Sequence, residues 1–86
     1  MLNNLMRGFV KVGERHGYPV WSKKTEEEFI VQVEPTEILA DWNWRIMRNG
    51  KTVSKSSETS SLMDTLFKAS FETERLINDR LVSNRS

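Results

Sequence analysis

The dipeptide Asn49-Gly50 constrains this chain more tightly than any other pair of residues in it. Asn and Gly tolerate the positive φ angles that a type I′ turn demands at its two central positions. The flanking segments, Trp42 to Arg48 and Lys51 to Ser54, therefore read as the arms of a β-hairpin. With a two-residue loop, Ile46 faces Val53, Trp44 faces Lys55 and Trp42 faces Ser57. That register makes the tryptophan side the core side. Asn43, Arg45 and Met47 then lie on the solvent side, opposite Ser56, Ser54 and Thr52. Lys55 beside Trp44 suits a cation–π contact worth about 0.5–1 kcal/mol. A slip of one residue would exchange the two sides.

The helix after this hairpin is the longest periodic element. Ser61 followed by Asp64 fits a capping box, with an anion near the positive end of the helix. Leu62, Leu66, Ala69, Ser70, Thr73, Leu76, Ile77 and Leu81 trace one stripe, which predicts a helix about 20 residues long. Lys68–Glu72 and Arg75–Asp79 are i,i+4 pairs of opposite charge. Met63, Phe67 and Phe71 drift off the stripe. Phe71 lies nearly opposite Leu62 and is expected to be partly exposed.

Upstream, Leu2, Leu5, Met6, Phe9 and Val12 share one side of a helical wheel, which predicts a short helix from Leu2 to Val12; Phe9 to Val12 also suits the start of a strand. Gly17-Tyr18-Pro19 is a turn, and Val20 to Ser22 suits a short edge strand because proline lacks a ladder donor. In Glu28 to Glu34, Phe29, Val31 and Val33 alternate with Ile30, Gln32 and Glu34, which predicts a strand ended by Pro35. Thr36 to Asp41 has room for one helical turn, with Ile38 and Leu39 turned inward. The expectation is a single α+β domain over residues 1–82. It has an N-terminal helix, a three- to four-stranded antiparallel sheet, and a long C-terminal helix packed on one sheet face. Residues 83–86 read as a disordered tail.

Composition narrows the function. At 86 residues, the chain is near the size where one core only just suffices. It contains no cysteine, which excludes thiolate nucleophiles, thiolate metal sites and disulfides. His16 is the only histidine and has no Ser or acidic partner at a catalytic spacing. Glu26-Glu27-Glu28 cannot converge on a metal, because consecutive strand residues alternate sides. No catalytic, cofactor or metal site is expected. The sequence has no apolar run of membrane-spanning length and no long apolar leader, so a cytoplasmic protein is expected. Charge is placed in blocks. Arg7 to Lys24 is basic, Glu26 to Asp41 acidic, and the hairpin basic again. Neighbouring strands of opposite sign are expected to neutralise one another.

The order helix, three strands, helix resembles that of double-stranded RNA-binding domains. Those domains carry a lysine pair where this chain has Ser60, Ser61 and Asp64, which removes the main phosphate grip. A closer resemblance rests on Trp42-x-Trp44-Arg45-Ile46, Asn49-Gly50, Val53, Ser56, Glu58 and Ser60-Ser61. These residues look like one ββα unit of the YegP-like small-domain family, without its second copy. The resemblance implies a fold more than an activity.

The expected function is that of a small non-enzymatic protein-binding domain, suited to an accessory, regulatory or phage-type inhibitor protein. Arg45, Met47, Arg48 and Lys51 of the hairpin, and Phe67 and Phe71 of the helix, are the candidate partner-binding residues. Homodimerisation would add burial that so small a core lacks. The competing expectation is a nucleic-acid-binding module that uses the basic hairpin with a tryptophan as stacking platform. The net charge of +1 weakens that reading.

Overall fold

A computed structural model describes residues 2–83. The elements run α1 (Leu2–Met6), β1 (Val10–Arg15), β2 (Tyr18–Lys24), β3 (Ile30–Pro35), β4 (Trp42–Arg48), β5 (Lys51–Lys55) and α2 (Leu62–Ser83). The five strands form one antiparallel sheet in chain order, and α2 packs across β3 and β4 on one face. The α+β class and the helix-on-sheet arrangement agree with the sequence expectation. The strand count exceeds the expected three to four.

The additional strand is β1, which begins within Phe9 to Val12, where the sequence also suited the start of a strand, and which shortens the expected helix. α1 stops at Met6 rather than Val12, because Gly8 adopts φ 85° and turns the chain out of the helix. A side chain at this position would also press on Lys23, whose Cε lies 3.2 Å from an added Cβ. Leu5, Met6 and Phe9 still pack on the core, as the wheel indicates, whereas Val12 is exposed. β1 returns into β2 through His16 and Gly17, both at positive φ.

β2 is an interior strand, not an edge, lying between β1 and β3. Pro19 is tolerated there for a geometric reason. It pairs with Glu14, one step from the closing pair Arg15–Tyr18 of the two-residue turn, so its nitrogen faces away from β1. On that other side the ladder to β3 starts only at Trp21–Val33.

β3 begins at Ile30 rather than Glu28, whose φ of 70° places it in the preceding turn. Phe29, Val31 and Val33 are buried together with Trp42, Ile46, Leu66 and Ala69. Trp44, Trp21 and Leu62 pack at the margin of this core. Burying each large aliphatic side chain contributes about 1.5–3 kcal/mol, so Val33, Ile46 and Leu66 fix how α2 sits on the sheet. The segment Thr36 to Asp41 contradicts expectation. It closes through Thr36 N–H to Asp41 O (2.9 Å) and Asp41 N–H to Ile38 O (3.1 Å). This tight reversal leaves no inward-facing turn, and Ile38 and Leu39 are exposed.

The hairpin forms on Asn49 and Gly50, at φ 55° and 77°. Its register then departs from the expected one. Met47 pairs with Thr52, but Ile46 pairs with Ser54, so Val53 is an extra residue in a β-bulge. Val53 is 47% exposed instead of facing Ile46. Lys55 consequently pairs with Arg45 rather than Trp44, and the Lys55–Trp44 cation–π contact does not form. The tryptophan side of β4 nevertheless faces the core.

α2 begins where Trp42 and Ser60 exchange backbone hydrogen bonds of 2.7 and 3.0 Å. Ser61 Oγ accepts from Asp64 N–H at 3.3 Å, the capping contact read from the sequence. The helix runs to Ser83, the first residue of the expected tail. Positions 84–86 of that tail lie outside the described residues.

Candidate interaction surface

The fold divides the six candidate residues among four places. Arg45 and Met47 occupy the sheet face away from α2. Arg45 shares that face with Gln32 and Glu34, since Gln32 pairs with it in β3. Arg45 Nη2 donates to Glu34 Oε1 at 3.0 Å, and Arg15 Nη1 donates to Glu34 Oε2 at 2.8 Å. Gln32 Nε2 also donates to this carboxylate. The Glu34 side chain is only 10% exposed, so one buried anion holds two cations from separate strands. This is the neutralisation between blocks anticipated from the sequence. It also means that Arg45 is occupied within the protein. Arg45 Nε is buried without an acceptor, and Lys55 lies opposite on β5.

Arg48 belongs to the other face of β4. Its guanidinium sits 5.7 Å from the Phe29 ring centroid, and its Nε donates to Glu27 O at 3.4 Å. There it closes the end of the core. Lys51 stands exposed beside the turn. The four hairpin residues therefore do not form one patch.

Phe67 and Phe71 do lie together. They are 62% and 70% exposed on the side of α2 that points away from the sheet, and Met63 extends the ridge one turn earlier. The spacing i, i+4, i+8 that places the three in a row is legible in the sequence. Grooves flank the ridge on both sides. One, of about 540 Å³, reaches Leu5 of α1 and Asn78. The other, of about 560 Å³, is floored by Trp44 and bordered by Lys55 and Lys68. Trp44 as part of a groove has no local sequence signal, because the groove depends on how α2 sits on the sheet.

The electrostatics along α2 are also defined. Arg75 bonds Glu72 at 2.5 and 3.0 Å and Asp79 at 2.9 Å. Ser54, brought to this side by the bulge, donates to Glu72 Oε2 at 2.6 Å. The hydrogen bonds from Arg75, then Ser54, hold the Glu72 carboxyl below its ordinary value. The i,i+4 pair Lys68–Glu72 does not form. Lys68 Nζ instead donates to Ser60 Oγ at 3.1 Å.

His16 is an exposed turn residue, and among the described residues no His, Asp or Glu cluster converges into a metal-binding set. No helix of the described residues is long and apolar enough to cross a membrane. Comparison with protein-family models, curated proteins and solved structures returned no match.

Proposed function

We propose that this chain is a small non-enzymatic protein-binding domain acting through the outward face of α2. The observation that carries this reading is the exposed pair Phe67 and Phe71 between two apolar grooves. Contiguous exposed aromatics carry a hydration cost that solitary surface residues do not, and such patches mark interaction sites. Aromatic side chains seated beside pockets are also the residue type that dominates binding energy at protein interfaces. Arg45 and Met47 are secondary here, because Arg45 is held by Glu34. Lys51 and Lys55 supply exposed charge for orienting a partner.

The test is Phe71→Glu, with Phe67→Glu as its companion. Both positions face away from the core, so the circular dichroism spectrum and melting temperature should stay near those of the parent. Association with the physiological partner should fall by tenfold or more. Unchanged association in both variants would rule out this face. The nucleic-acid alternative rests on the basic hairpin, but Trp42 is buried and Trp44 half-buried, which limits stacking. Tryptophan quenching by single-stranded oligonucleotides with a steep salt dependence would favour that alternative.

A further inference from the structure

The charges beside the phenylalanine ridge identify what it docks against. Asp64, Lys68, Glu72, Arg75 and Asp79 run along one flank of α2 and alternate in sign from its start towards its end. Among the described residues, Lys68 and Asp64 have no ion-pair partner, while Arg75 pairs with both Glu72 and Asp79. In an antiparallel pair of helices related by a two-fold axis, a given flank faces its own copy in reversed order. Placing the axis at the level of residue 70 brings Lys68 opposite Glu72 of the other copy, and Asp64 within one residue of Arg75. Lys68 and Asp64 then each acquire a partner. The same placement sets Phe71 beside the axis, where it meets Phe67 and Phe71 of the second copy across the grooves. Antiparallel helix dipoles favour the arrangement as well.

We propose that the outward face of α2 docks on the same face of a second copy of this chain, antiparallel, across a two-fold axis near Ser70. The proposal rests on the reading of this face as a protein-binding surface and names its occupant. Edge-to-edge pairing of the sheet is disfavoured at both of its edges. β5 carries Lys51 and Lys55 at its two ends, and β1 is interrupted by a register shift between Lys11 and Gly13.

The test is sedimentation velocity of the full chain over a concentration series, with charge variants mixed in pairs. The parent should shift from monomer to dimer as concentration rises. Lys68→Glu alone and Glu72→Lys alone should each weaken the dimer by tenfold or more, since each places like charges together twice. An equimolar mixture of the two variants should recover a dimer, because both cross-pairs are then opposite in sign. Glu72 also contacts Ser54, so Asp64→Lys mixed with Arg75→Asp serves as a second pair with the same logic. A parent that stays monomeric at millimolar concentration overturns the proposal, as does failure of both mixtures to dimerise better than their components. If the parent is monomeric while Phe71→Glu still abolishes binding of a different protein, the dimer is refuted and the protein-binding reading stands. If Phe71→Glu then abolishes nothing, both are refuted.

Discussion

Glu34 decides what the open face of the sheet can do. Its carboxylate takes hydrogen bonds from Arg15, Arg45 and Gln32, and its side chain is nearly removed from water. A buried carboxylate is stable only when paired this way, and removing it leaves the guanidinium of Arg45 without its anchor. Glu34→Ala should therefore cost about 2 kcal/mol in urea-induced unfolding, with Arg45→Ala in the Glu34→Ala background costing little more. Strictly additive losses would show that the two groups are not coupled. Glu72 is the other informative carboxylate. Its folded-state value lies below 4.5, so its contribution is fully present above that pH and disappears as pH falls through the lowered folded value. Glu72→Gln should thus be less stable than the parent at neutral pH, and the two stability curves should converge as pH falls through the lowered folded value. Parallel curves down to the acid transition would contradict the ion pair.

At the scale of elements, the bulge at Val53 reorganises the site. It turns Ser54 towards α2, moves Lys55 opposite Arg45, and exposes Val53. Deleting Val53 removes the bulge and leaves the Asn49-Gly50 loop and the strand pairs on either side as they are. The deletion should leave the fold intact and change stability by less than about 1 kcal/mol. Had Val53 faced Ile46 in the core, the same deletion would unfold the domain, so a thermal melt separates the two registers. The turn, the core side of β4, the alternation in β3 and the stripe of α2 were legible in the sequence, because each follows from local geometry or periodicity. The bulge was not, since nothing local distinguishes Val53 from an ordinary strand residue. β1 was obscured for a related reason. Leu5, Met6 and Phe9 fit a helical wheel and pack inward, although Gly8 ends the helix between them and the strand. The grouping of Arg45 with Arg48 also failed, because neighbours along a strand at odd separation belong to opposite faces.

For the molecule as a whole, one sheet face and one helix share the burial. α2 covers β3 and β4 with one side and presents Phe67 and Phe71 on the other. The core uses the aliphatic residues of the central strands, and the outward aromatics contribute nothing to it. Under the proposed function, these aromatics serve association through α2. The most direct measurement is a two-dimensional amide NMR spectrum recorded on the full chain from dilute to concentrated solution. Concentration-dependent shifts should cluster from Met63 to Asp79 and at Leu5, leaving Arg45, Met47 and Lys51 unmoved. Shifts confined to β1 or β5, or a spectrum that does not change with concentration, would contradict self-association through this face.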